Sequence, residues 1–232
     1  MFLTENINSY FVKFKLFSSI SIHKKQFRVI YNFVDDVMHS NDLSHNLEHV
    51  LRVCKNAEQI LDNDEPHWDE KNRSLTILTA LCHECCDTKY VADKKSSLEK
   101  LCNALKSADV SDDSINVICE VVPQLSFSNR LRNGVPLFSS AKTRRVYEIV
   151  SDADYLEALG ITGIIRTNIF QGVRGNDVTT ASHHIENTIY KCIDHLSTSW
   201  AKKEGAIRLE CMKNAMEWYK REQNVSDLNS LK

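Results

Sequence analysis

An all-α fold, a single helical domain with a metal site between its helices, follows from three observations. Apolar residues recur at intervals of three and four along most of the 232-residue chain. Glycine, with six residues, and proline, with three, are too scarce for a turn-rich β protein. Histidines and acids suited to metal binding gather in three separated segments, which only a folded bundle would bring together. The length suits one sizeable core and signals no second domain. The expected organisation is an N-terminal extension over residues 1–22, a helical domain over 23–222 and a tail over 223–232.

Taken in order, Phe27, Ile30, Val34 and Val37 form a first apolar stripe. Leu47, Val50, Leu51, Cys54, Ala57 and Leu61 form a second, with Ser44 placed to cap its helix. Leu75, Leu78, Leu81, Cys82 and Cys85 mark a third helix, from whose edge His83 and Asp87 would project. Leu98, Leu101, Cys102 and Leu105 mark a fourth, and Ile115, Ile118 and Val122 a fifth that Pro123 should end. Residues 124–140, with Asn133-Gly134 and Pro136, read as a loop that could border a pocket. Val146, Ile149, Val150, Ala153 and Leu156 carry a helix to Gly160, read as its C-terminal cap. Beyond Gly172 and Gly175, two packing helices are expected, one with Ile185, Ile189, Ile193 and Leu196, the other with Ile207, Met212 and Met216.

Composition narrows the function classes. A formal net charge of −2 with 26% charged residues gives no strongly basic surface, so nucleic-acid binding is not indicated. No run of about 18 apolar residues exists to span a membrane. The N-terminal stretch is interrupted by Lys13 and Lys15 and lacks a clear small-residue cleavage pattern, so a cytoplasmic protein is expected. The eight cysteines lack the spacing of a disulfide scaffold and fall mostly on predicted core faces, reading as buried reduced thiols. Cys82-His83-Glu84-Cys85-Cys86 looks superficially like a thiolate zinc site but has no second cysteine pair at zinc-finger distance.

The chemistry lies in His45 to His49, His83 to Asp87 and Asp152 to Asp154. Imidazole and carboxylate donors together suit a borderline divalent ion with positions left for water and phosphoryl oxygens. Residues four apart share a helix face, which pairs His45 with His49 and His83 with Asp87. Asp152 and Asp154 would point about 200° apart, so one of the two can face a given ion. His83 and Glu84, about 100° apart, can share an ion lying between their directions.

These segments resemble the HD-domain phosphohydrolase superfamily, whose metal is held by a His, a His-Asp doublet and a distant Asp. Ser44-His45-Asn46 with His49, Arg52 and Val53 is similar to the Ser-His-Asp-x-x-His-x-x-Arg-Val stretch of its small bacterial and fungal branch. Asp152-Ala153-Asp154-Tyr155-Leu156-Glu157-Ala158, with Gly160, Gly163 and Ile164, resembles that branch's Asp-Ala-Asp-Arg-Leu-Asp-Ala-x-Gly-x-x-Gly-Ile segment. Ser126-Phe127 matches its Ser-Phe loop. The resemblance covers roughly residues 27–222. The chain departs from the pattern at Asn46, Tyr155 and Glu157, and at Glu84, which lengthens the doublet's carboxylate by about 1.5 Å.

The resemblance implies an HD-like helical domain hydrolysing a phosphate ester or anhydride of a nucleotide or similar small phosphorylated metabolite. It implies a divalent metal cation held by His49, His83, Glu84 and Asp154, with manganese, magnesium, iron, cobalt, nickel and zinc all open. Asp87 becomes the candidate general acid or base, with pairing to Lys89 as its simpler role. Lys89, ahead of Arg52 and Arg166, is the candidate phosphate-binding cation. His45 would hold a second metal, touch phosphate or orient His49, and Asp152 would support the site indirectly. Two other readings stand beside this one. The altered doublet suits a catalytically silent domain that binds a nucleotide or a protein. His45-Asn46-Leu47-Glu48-His49 fits the pattern of inverted zinc peptidases, with Glu48 as base, but leaves the other two segments without a role.

Overall fold

The computed structural model describes residues 24–39, 42–87, 89–91 and 93–223. The expected extension, residues 1–22, and residues 224–232 of the tail lie outside the described residues. Among the described residues the chain is helical, with no strand. Helices α1 (Lys24–Met38), α2 (Leu47–Asp64), α3 (Glu70–Leu81), α4 (Lys94–Ser107) and α5 (Asp112–Val121) are followed by the short α6 (Phe127–Asn133). Then come α7 (Ala141–Ala158), α8 (Gly160–Val173), α9 (Val178–Asn187) and α10 (Ser199–Gln223). Tight 3-10 turns at Leu43–His45, Val122–Gln124 and Ile189–His195 complete the path.

The centre of the bundle is α7, which packs most extensively on α2. Its buried residues run around much of its circumference, from Val146 and Tyr147 to Asp152, Tyr155 and Glu157, as expected of a helix enclosed by neighbours. On α2, Val50, Val53, Cys54, Ala57, Ile60 and Leu61 are all buried, and Asn56 Nδ2 donates to the Ala153 carbonyl of α7 at 3.0 Å. α3 packs on both α2 and α7 and carries an unbroken buried stretch from Leu75 to Leu81. Side-chain caps start most of these helices. Asp69, Asp93, Ser111, Ser126, Ser140 and Asp177 each accept a backbone N–H of the following first turn.

The structure corrects the sequence expectations at several points. Asn46, not Ser44, caps α2, its Oδ1 accepting the His49 N–H at 3.1 Å. His45 therefore lies in the 3-10 turn before the helix and does not share a helix face with His49. The third helix stops at Leu81, and His83 through Cys86 form turns, because the His83 ring and backbone both bond the Ala80 carbonyl. Met38 rather than Val37 is the buried end of the first stripe.

The expected loop at 124–140 contains α6, capped by Ser126. Gly160 does not end α7: Leu159 is extended, and Gly160, at φ +76°, opens a further helix, α8, that the periodicity does not reveal. This corner is tight, for a Cβ at Gly163 would stand 1.9 Å from the Ala158 carbonyl oxygen. The stripe from Ile185 to Leu196 divides into α9 and a 3-10 turn. The cysteines are not all reduced and buried. Cys102 and Cys119 join α4 to α5 through a disulfide, and Cys211 is exposed.

Candidate metal centre

Three elements meet where α2, α7 and the turn after α3 converge. His49 sits in the first turn of α2 and is fully enclosed, His83 lies in the turn, and Asp154 stands on α7. One potential ligand atom from each lies within 4.8 Å of the other two. The Nε2 atoms of His49 and His83 are 3.2 Å apart, and Asp154 Oδ1 is 3.4 Å from the first and 4.0 Å from the second. Glu84 is not in that mutually close trio, yet its Oε1 lies 3.5 Å from His49 Nε2 and 3.4 Å from His83 Nε2.

The chemistry of this donor set fits a divalent ion. His83 Nδ1 donates to the Ala80 carbonyl at 2.7 Å, which fixes the tautomer and leaves Nε2 as the coordinating nitrogen. Glu84 Oε2 is buried and has no hydrogen-bond partner, an expense that a cation would relieve. Without an ion, protons take its place. Burial and Arg166 push the His49 imidazole down, but the carboxylates of Asp154, Glu157 and Glu84 prevail and raise it to about 9. Burial alone would raise Glu84 and Asp154, and the facing histidines hold both well below the usual carboxylate range.

Beside the trio lies a cavity of about 190 Å³. Its polar wall carries His45, Lys89, Asp154, Arg166 and His184, and its apolar wall Phe127, Tyr155, Phe170, Ile189 and Cys192. Phe170 is covered by the Arg174 guanidinium, 3.4 Å from the ring centroid. Tyr155, where the resemblance calls for Arg, contributes an aromatic ring set edge-on to Phe127 at 5.1 Å.

The remaining sequence candidates fall into different places. His45 lines the cavity, with Ser44 Oγ and the Tyr90 hydroxyl at 2.7 and 2.8 Å from its Nδ1. Burial, then Lys89 and Arg166, lower it to about 4, so this imidazole is neutral at physiological pH. Arg166 donates from Nε to the Ser44 carbonyl at 2.7 Å while lining the same cavity. Lys89 Nζ pairs with Asp87 Oδ2 at 3.0 Å, and Asp87 is not among the described residues that line the cavity.

Asp152 turns away, accepting the backbone N–H groups of Ser197 and Thr198 at 2.7 to 3.0 Å. Glu48 is 59% exposed and accepts from Arg52 Nη1 at 2.8 Å, which leaves the peptidase arrangement without a base at the cluster. The sequence carries no sign of Asp42, which anchors Ser44 and Tyr90, and marks Glu157, buried behind His49, as a departure from the family pattern without assigning it a role. Glu157 was legible in principle, because it lies three residues beyond Asp154 on the same helix.

Comparison with known proteins places this arrangement in a fold. No family model matches the chain. An uncharacterised protein of Bacillus subtilis, YpgQ, is 24% identical over 184 residues, 77% of this chain and 84% of its own. The crystal structure of YpgQ in complex with ADP aligns with a TM-score of 0.65 at 21% identity, covering 84% of this chain and 96% of that one. An HD-superfamily hydrolase from Bacillus thuringiensis aligns with a TM-score of 0.64 at 22% identity over 87% of this chain and 99% of that one. The chain has the HD-like, all-helical fold.

Proposed function

We propose that this protein is a metal-dependent hydrolase of a phosphate ester or anhydride, acting on a nucleotide or similar small phosphorylated metabolite. The observation that carries this reading is the convergence of His49, His83 and Asp154 beside a cavity lined by Lys89 and Arg166. His49, His83 and Asp154, with Glu84, would hold a divalent ion, which when bound polarises a phosphoryl group and activates water. Lys89 and Arg166 would attract phosphoryl oxygens, and Phe127, Tyr155 and Phe170 would receive an uncharged ring. The ADP in the YpgQ crystal supports a nucleotide as the ligand class. Asp87, tied to Lys89, would act by aiming that cation; proton transfer is its alternative role.

No helix among the described residues is long and apolar enough to cross a membrane. The test is a release assay for phosphate and pyrophosphate. The purified protein is incubated with nucleoside mono-, di- and triphosphates and with Mn²⁺, Mg²⁺, Co²⁺, Ni²⁺ or Zn²⁺. Metal-dependent release that disappears in Asp154→Ala supports the reading. Nucleotide binding without any turnover points to the catalytically silent domain, which the lengthened acid at Glu84 favours. Neither binding nor turnover overturns both.

A further inference from the structure

His83 and His49 differ in how their second ring nitrogen is satisfied. His83 Nδ1 has the Ala80 carbonyl at 2.7 Å. His49 Nδ1 is buried and has no hydrogen-bond partner, although its Nε2 faces His83, Glu84 and Asp154. A metal-binding imidazole needs an acceptor on its far nitrogen to hold the proton there and keep the other lone pair directed at the ion. The nearest acidic atom the structure offers is Glu157 Oε2, 3.9 Å away and itself buried.

We propose that Glu157 is the positioning residue of the metal centre: its carboxylate takes the His49 Nδ1 proton in hydrogen bond and so aims Nε2 at the ion. The inference rests on the metal reading given above. Glu157 is held for this task from behind. Arg52 Nε donates to Oε2 at 2.5 Å, Asn56 Nδ2 lies 3.4 Å from Oε1, and Arg208 Nη1 stands 4.0 Å from the same atom. Arg52 and Arg208 line a second groove together with Glu157, Lys55 and Trp200. Two cations thus compensate a buried carboxylate that also stands next to an imidazole lacking an acceptor. That arrangement has no purpose in packing alone, where an apolar side chain would serve.

The experiment is Zn²⁺ titration of metal-free protein by calorimetry, with thermal unfolding of the metal-free form in parallel. Glu157→Gln should weaken Zn²⁺ binding by about 10- to 100-fold, and Glu157→Asp, which keeps the charge, by less. A Gln variant that binds Zn²⁺ as tightly as wild type, whatever its thermal midpoint, overturns the proposal. Should that variant fail to fold, ¹⁵N spectra of the wild-type Zn²⁺ form decide. A His49 Nδ1 proton shifted downfield by a strong acceptor supports the pairing with Glu157, and an Nδ1 proton without that shift overturns it. Wild-type protein that binds no Zn²⁺, Mn²⁺ or Co²⁺ instead removes the metal reading itself.

Discussion

His49 Nε2 and His83 Nε2 face each other at 3.2 Å, although 34 positions separate them in the chain. Two neutral imidazoles cannot both direct lone pairs into such a gap without repulsion, and the surrounding carboxylates of Asp154 and Glu84 would repel each other as well. One Nε2–H donating to the other nitrogen would relieve the imidazole pair, but the facing carboxylates call for added positive charge, as protons or as a metal ion.

Metal should therefore stabilise the fold. At a free Mn²⁺ concentration of about 100 times Kd, the gain is about 2.7 kcal/mol, visible as a rise in thermal midpoint. His83→Ala and Asp154→Ala should lose that rise. A full metal-induced shift retained in either variant would remove the residue from the ligand set.

Asp152 should behave differently from its neighbour two positions on. Its carboxylate is the acceptor for the backbone of Ser197 and Thr198, just before α10. Asp152→Ala leaves those N–H groups without an acceptor and should cost about 1–3 kcal/mol in urea unfolding, with metal affinity unchanged. Loss of metal affinity without loss of stability would contradict this division of labour.

The contrast between those two acids shows what was legible in the sequence. Helix periodicity excluded a shared direction for Asp152 and Asp154, and the two do point to different partners. The first five helices followed from their apolar stripes. α8 did not, because Gly160, Gly163 and the β-branched Ile161, Thr162, Ile164 and Ile165 weaken every local helix signal. The turn at His83 was hidden because Cys82 and Cys85 are apolar enough to extend the α3 stripe past its real end, and both are buried. The Cys102–Cys119 pairing joins neighbouring helices 17 positions apart, and a spacing of that length carries no local signature. The cavity wall contributed by Phe170, His184 and Ile189 depends on tertiary packing that no spacing rule encodes.

Lys89 and Asp87 can be separated by kinetics. Lys89→Gln removes a charge-assisted contact to phosphate and should raise KM about tenfold or more. If Asp87 acts only by holding Lys89 Nζ at 3.0 Å, Asp87→Asn should shift KM in the same direction and less far. A fall in kcat of about 100-fold with KM unchanged would instead assign Asp87 to proton transfer.

Glu84 offers the sharpest test of how this centre differs from a His-Asp doublet. One of its oxygens already lies within 3.5 Å of both imidazoles, and the other is buried with no partner. Glu84→Asp withdraws the carboxylate toward the turn by about 1.5 Å, more than a metal-ligand bond tolerates. The turn has no helical slack to follow it, since Cys85 N–H and Asp87 N–H bond the carbonyls of Cys82 and Glu84. With the turn set for the longer side chain, the substitution should lower both metal affinity and turnover. If the backbone still suits Asp, both quantities should rise, because the ligand returns to the reach of a His-Asp doublet. Identical metal affinity and turnover in wild type and Glu84→Asp would falsify Glu84 as a ligand, leaving the buried oxygen to be explained by a water or by the neighbouring imidazolium.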